Sequence, residues 1–421
     1  MAGTRTHPRH RPGTRHRRGH LRAPGPARHR PRAHRGVHRP ARPGARRGRR
    51  PGRTAARVHP AHRLRRGRPA PQPLPGRRRC PAPAGRPRGR AGRHVSGSSG
   101  TVLAAAHALI APLTEAQVEA IRAAAAPEQV VVARDPATVL RHAPDAAVLF
   151  GDIQPAALDA APNLRWVQSV GAGVDRIAAH LAGRDVRLVS AKGGIVGAHL
   201  AEHAFALLLA LTRGVATVLR APDWTDAYRI AVRATQWEFT DRTMLVVGLG
   251  GAGRAVARRA RGFEFARIVA VEPESVEPGP DVDLLVTPDR LDEVLPTADV
   301  VVLTVPLTPA TRHLLDASRI ATLKPGAILV NVSRGELVDE SALRAALTGG
   351  RLGGAGLDVV TREPLAPDDP LWRLPNVVVT PHIAGGSPRR AERVVEQFCE
   401  NLRRWHAGEP LLGEFDRDRG Y

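Results

Sequence analysis

The sequence predicts an α/β protein with two Rossmann-like parallel sheets, preceded by a disordered basic segment. Three observations carry this. Short apolar runs alternate with helical patterns in two separate series, as βα units do. A G-x-G-x-x-G pattern follows the first strand of the second series, at "LVVGLGGAG". Composition changes abruptly near residue 100.

The chain has 421 residues and a formal charge of +25. Residues 1–100 hold 30 arginines and no Lys, Asp or Glu, so the remaining 321 carry 34 basic against 39 acidic side chains. Any nucleic-acid signal therefore belongs to the first segment alone. Residues 1–94 contain no Ile, Phe, Tyr or Trp and cannot bury enough apolar area to offset the entropy of ordering, so the 1–95 segment is expected to be disordered. Of 64 basic residues only Lys192 and Lys324 are lysines, the mark of a GC-rich gene. Met1 and Met244 are the only methionines, and Val95 precedes the first strand as a GTG start codon would. Residues 1–94 are thus expected to be an over-extended start; a real basic arm is the alternative. No run of about 18 apolar residues appears, so no membrane span is expected. Two distant cysteines, Cys80 and Cys399, give neither a disulfide framework nor a metal pattern, and a reducing cytoplasm is expected.

In the first series "TVLAAAHAL", "QVVVARD", "DAAVLFGD" and "LRWVQSV" read as strands, and "TEAQVEAIRAAA" as a helix with a Thr114/Gln117 capping box. "GAHLAEHAFALLLALTRGVATVLR" (197–220) reads as one long helix between domains. The second series runs through "TMLVVGLGGAGRAVARRA", "RIVAVEPE", "ADVVVLTVP", "GAILVNVSRG", "GAGLDVV" and "NVVVTPHIAGG", and "RRAERVVEQFCENLRRWHAG" closes as a helix.

Gly248, Gly250 and Gly253 form the glycine pattern between strand and helix. They allow a tight turn, close approach of backbone to a pyrophosphate, and tight helix–strand packing, with the helix N-terminus facing the phosphates. Glu272 stands nineteen residues on, where an acid binds the adenosine ribose hydroxyls and repels a 2′-phosphate, so NAD is expected. Arg334, Glu363 and His382 follow in "NVSRGE", "TREPL" and "TPHIAGG". Singly, each reads equally as an ion-pair arginine, a loop acid or a bonded loop histidine. Together, after a nucleotide fingerprint, they suit hydride transfer. A histidine exchanges the hydroxyl proton, a neighbouring carboxylate favours its charged form, and an arginine grips a carboxylate and polarises a carbonyl.

With "VQSVGAGVDRI", "HLAEHAFALLLALTR", "VVGLGGAGRAVARRA", "ADVVVLTVPLTPATRHLL", "GAILVNVSRGELVDESAL", "GLDVVTREPL", "VVVTPHIAGG" and the tail "NLRRWHAGEPL…RGY", the chain from Thr101 to Tyr421 resembles the D-isomer-specific 2-hydroxyacid dehydrogenases. The resemblance implies an active site in a cleft between two domains. Residues 96–198 plus 384–421 would bind substrate and 199–383 would bind NAD. It implies an NAD-dependent oxidoreductase acting on the CH–OH of a small 2-hydroxy acid, and a homodimer. Arg334 would bind substrate, His382 would be acid/base and Glu363 its partner. Gly251 and Ala252 would line the pyrophosphate, and Val305, Val332, Ser333, Arg334, Asp358, His382 and Gly385 the nicotinamide side. Val170, Gly171, Ala172 and Gly173 would offer N–H groups to the substrate carboxylate. No metal is implied. Thr304 and Val305 depart from the family, where many members have His or Asn and then a polar residue. Related formate dehydrogenases have Gln where Glu363 stands, so Glu favours 2-hydroxy acid chemistry. No regulatory domain is read after the closing helix, against the longer phosphoglycerate dehydrogenases. A corepressor on the same fold, or nucleic-acid binding through the arginine arm, remains the rival reading.

Overall fold

A computed structural model describes residues 100–105, 112–151 and 153–421. The expectations for 1–95, including the start at Val95, and the end of the "TVLAAAHAL" strand lie outside these residues.

Two all-parallel sheets organise the chain. The first holds β1 (Thr101–Ala105), β2 (Val130–Ala133), β3 (Ala146–Gly151), β4 (Trp166–Ser169) and β5 (Arg187–Val189), in the order β2-β1-β3-β4-β5. The second holds β6 (Thr243–Val247), β7 (Arg267–Val271), β8 (Leu284–Val286), β9 (Val300–Leu303), β10 (Ile328–Asn331), β11 (Gly354–Leu357) and β12 (Val377–Val379), in the order β12-β11-β10-β9-β6-β7-β8. The strands are short and mostly apolar, and β9, β10 and β11 are buried along their whole length. This is how parallel strands read when helices cover both faces. In the second sheet the order reverses between β6 and β9, a switch point that opens a crevice at the carboxyl ends of the strands. β5 and β8, three residues each, were not read from the sequence.

The capping box forms as expected: Gln117 N–H donates to Thr114 Oγ1 at 3.2 Å and Thr114 N–H to Gln117 Oε1 at 3.0 Å. The expected single helix over 197–220 does not form. It stops at Thr212, Gly214 takes a left-handed φ of 70°, and a separate helix covers Val215–Arg220. The apolar face explains the break. Ala201, Ala204, Phe205, Leu207 and Leu208 are buried, whereas the Val215–Arg220 helix buries nothing and gains nothing by continuing the axis. A glycine with positive φ is the usual stop.

The Arg390–Ala407 helix returns the chain to the first sheet. Val394, Val395, Phe398, Cys399 and Leu402 enter the core around Val102, Phe150 and Trp166. The Phe398 ring stacks on Phe150 at 4.1 Å. Cys399 is buried there, which pushes its thiol up. Among the described residues no helix is long and apolar enough to cross a membrane.

Candidate active site

The site gathers where the strands of the second sheet end. β6 runs into Gly248, whose φ of 97° turns the chain sharply; its N–H donates to Val271 O at 2.8 Å. A Cβ on Gly253 would stand 1.8 Å from Gly248 O, so the helix Gly251–Gly262 seats tightly on the turn only because that position is glycine. Gly250 caps this helix and has open space where a side chain would be, which leaves its backbone open to approach. Gly251 and Ala252 begin the helix, at its positive dipole end. Glu272 follows β7, and its Oε2 accepts the Leu249 N–H at 2.6 Å. The acid and the glycine turn are thus built as one unit.

Thr304 explains the departure at the end of β9. Its Oγ1 donates to Gly248 O at 2.8 Å and Val247 O at 3.0 Å, so the residue locks the glycine turn. Val305 follows, and its carbonyl accepts from Ser333 Oγ. Past β10, buried Asn331 donates to Arg334 O at 2.8 Å and accepts the Ser333 N–H at 3.1 Å. That small loop, with Val332 buried beneath it, projects Arg334. The guanidinium donates through Nε and Nη2 to Asp175 Oδ1, at 3.1 and 3.0 Å, and through Nη1 to Ser333 O at 2.8 Å. It lies against Gly173, where a Cβ would stand 1.6 Å from Nη2. Arg334 therefore reaches from the second sheet onto the loop that follows β4 of the first.

In that loop Val170 N–H donates to Gly151 O at 3.3 Å and Gly171 N–H to Ser169 Oγ at 3.0 Å. These two amides are engaged within the chain.

Asp358, past β11, holds the histidine loop. Its Oδ1 accepts from Thr380 Oγ1 at 2.7 Å and Ile383 N–H at 2.9 Å, and its Oδ2 from Ala384 N–H at 2.8 Å. His203 Nε2 lies 3.3 Å from Oδ1. Burial pushes this carboxyl up, but His203, Thr380 and the Ala384 and Ile383 amides outweigh it and hold it below the usual range. The loop places His382 at a φ of 53°, with its N–H bonded to Asp358 O at 2.8 Å. His382 Nδ1 meets Glu363 Oε2 at 2.8 Å. Burial pushes the Glu363 carboxyl up too. The hydrogen bond to His382, its charge, the Val360 amide and the Arg334 charge together prevail and keep it low. Glu363 is therefore ionised at neutral pH. With Nδ1 bound, Nε2 is the nitrogen left for proton exchange.

Arg390 was not foreseen. Its Nη2 donates to Val170 O at 2.7 Å and its Nη1 to Gly385 O at 2.9 Å, tying the expected carboxylate loop to the histidine loop. Asp175 and His203 were also missed, although both lie inside strings that carry the resemblance. Among the described residues no group of three or more His, Cys, Asp or Glu is placed to hold a metal.

The profile of the D-isomer specific 2-hydroxyacid dehydrogenase NAD binding domain matches residues 205–384. A glyoxylate reductase of Korarchaeum cryptofilum is 37% identical over 268 residues, 62% of this chain and 79% of that protein. The chain belongs to the D-isomer-specific 2-hydroxyacid dehydrogenase family. A D-3-phosphoglycerate dehydrogenase of Mycobacterium bovis is 40% identical over 256 residues, 60% of this dehydrogenase, which spans about half, 47%, of that relative. A D-isomer specific 2-hydroxyacid dehydrogenase of Xanthobacter autotrophicus, solved with NADPH and MES, superposes at a TM-score of 0.63 with 29% identity, over 77% of this chain and 100% of that one. An NADPH-dependent glyoxylate/hydroxypyruvate reductase of Sinorhizobium meliloti gives 0.64 and 28%, with the same coverage. The dehydrogenase is thus an oxidoreductase of the nicotinamide-dependent class acting on small 2-hydroxy acids, on two Rossmann-like sheets as the sequence predicts.

Proposed function

We propose that this dehydrogenase reduces small 2-oxo acids of the glyoxylate and hydroxypyruvate kind to (2R)-hydroxy acids, and that it prefers NADH. The observation that carries the reading is the bond between His382 Nδ1 and Glu363, beside an arginine whose charge acts on that same glutamate.

The open backbone at Gly250, the helix N-terminus behind it and Glu272 fit a dinucleotide. When bound there, it supplies or accepts the hydride. Arg334, fixed in plane by Asp175 and Ser333, keeps further donors on Nη1 and Nη2 for the substrate carboxylate and carbonyl. Ala172 and Gly173 add their amides. His382 Nε2 delivers the proton to the carbonyl oxygen as it becomes a hydroxyl, and ionised Glu363 holds Nδ1–H and offsets charge on the ring. Glu272 supports NADH over NADPH, because its charge opposes a 2′-phosphate. Relatives solved with NADPH or NADP make this a point of difference to test.

We infer a division into residues 96–198 plus 384–421 and residues 199–383, supported by the return of the last helix to the first sheet. We also infer a homodimer. Leu219, Trp224 and Ile230 are 79%, 88% and 67% exposed, in a stretch where the Asp226–Ala234 helix buries no residue. Such a patch suits a second copy. A cytoplasmic location without a nucleic-acid partner completes the reading.

The test is oxidation of NADH with glyoxylate, hydroxypyruvate, pyruvate and branched 2-oxo acids. Turnover of a small 2-oxo acid is expected. No turnover with any of them, on a chain that binds NADH, would favour a binding role on the same fold.

A further inference from the structure

Residues 414–421 run from the first sheet to the second. They start firmly on the first. Glu414 bridges Val189 at the end of β5, and its carboxylate takes Nε and Nη2 of Arg187, both at 2.6 Å. Phe415 packs on the core of the same sheet, and its N–H donates to Leu188 O at 2.7 Å. Arg417 Nη2 donates to Val186 O at 2.6 Å and Arg184 O at 3.0 Å. A tight turn follows. The Asp416 carboxylate accepts the Asp418 and Arg419 N–H groups at 3.0 and 3.1 Å, and Gly420 N–H donates to Asp416 O at 2.9 Å.

The turn delivers three residues to the second sheet. Arg419 Nη1 pairs with Glu274 Oε1, and Tyr421 OH donates to the same oxygen at 3.4 Å. Gly420 lies on Thr308, with its Cβ position 3.4 Å from Cγ2. Glu274 stands two residues past Glu272 on the loop leaving β7, and Thr308 three past Val305 on the loop leaving β9. β7 and β9 are the two neighbours of β6, which carries the glycine turn. The segment therefore ends on both loops that border the nucleotide crevice. Burial pushes the Tyr421 phenol up, and the charges of Glu274 and Glu272 push the same way.

We propose that residues 414–421 are a strap fixing the adenosine end of the cofactor site, with Arg419 and Tyr421 as positioning residues for the loop that carries Glu272 and Glu274. The inference rests on the reading that Glu272 receives the adenosine ribose. Two carboxylates two positions apart on one loop repel each other. The guanidinium on Glu274 offsets that repulsion, and the strap pins the loop while Glu272 keeps its bond to the Leu249 amide. Arg419 is half-exposed, which keeps the effect modest. Because the other end is anchored on β5, dinucleotide affinity becomes linked to the placement of the first sheet.

The experiment titrates NADH and NADPH into the full chain, without substrate, by nucleotide fluorescence. Arg419→Ala and Glu274→Gln are each expected to raise the Kd for NADH about three- to fivefold, the upper scale of one partly exposed ion pair on a ligand loop. Tyr421→Ala is expected to act in the same direction, and Arg419→Lys to restore most of the affinity. The melting temperature and kcat at saturating cofactor stay near their starting values. Arg419→Ala and Glu274→Gln that both keep a Kd within about twofold of the unaltered chain overturn the strap. An unaltered chain that binds neither nucleotide overturns the nucleotide reading instead.

Discussion

Arg334 rests both Nε and Nη2 on a single carboxylate oxygen of Asp175, which belongs to the other sheet's half of the molecule. The pair is partly buried, at 23% and 28% side-chain exposure, so it orients the guanidinium more than an open surface pair would. Asp175→Asn is expected to raise KM for the 2-oxo acid roughly tenfold or more, the scale of a charge-assisted hydrogen bond, with a smaller change in kcat and none in NADH affinity. Steady-state kinetics and an NADH titration check this. An unchanged KM would remove Asp175 from the substrate site.

Gly173→Ala tests the same contact from the other side. A methyl group there would meet Arg334 Nη2 at 1.6 Å, so either the loop or the guanidinium must move. The expected result is a folded protein with an ordinary melting temperature and a strongly raised KM for substrate.

His382→Ala is expected to lower kcat by about two to four orders of magnitude, the range for losing general acid–base catalysis, and to leave NADH binding nearly intact. Single-turnover measurement separates the two. Near-normal kcat on the best substrate would exclude His382 as the acid/base.

Asp358 and Glu363 are both held below the ordinary carboxylate range in the folded chain. For a lowered carboxyl, the added stability is full above the unfolded pKa and is lost as pH falls through the folded value. Melting scans from pH 7 downward should show loss starting near the ordinary carboxylate range and continuing below it. Asp358→Asn, which keeps the shape but not the charge, should flatten that slope and destabilise at pH 7 by on the order of 3 kcal/mol, as for a buried charged acceptor that loses its donors. An unchanged slope would assign acid sensitivity to other groups.

Glu272 is expected to make kcat/KM higher with NADH than with NADPH, and Glu272→Gln to narrow the ratio by about tenfold, for one charge facing a phosphate. Equal use of both cofactors by the unaltered chain would show that a nearby arginine compensates the acid.

Much of the site was legible because it is made of loops whose residue types carry chemistry. Gly248 and Gly253 declare a turn that no other residue fits, and His382 with Glu363, read together from the sequence, stand hydrogen-bonded to each other. What stayed hidden was partnership across distance. Asp175 meets Arg334 only because two sheets face each other, and Arg390 finds Val170 and Gly385 only once the last helix has returned. Nor does periodicity register that a helix has run out of core to cover, which is why the break at Gly214 was missed. The role of Thr304 was hidden for a similar reason. Read against relatives it is a lost side-chain contact, and in space it is a clamp on the glycine turn.

The stacking of Phe398 on Phe150 also sets an order of events at the ribosome. A nascent chain emits β1 through β5 first, yet the ring that seals their core lies on the last long helix. The whole second sheet emerges in between and can assemble as a unit while synthesis continues. Until the helix arrives, Phe150 and Trp166 lack their cover, and the early half waits as an adhesive surface. A stalled ribosome or a truncated message would thus release the half most in need of a chaperone.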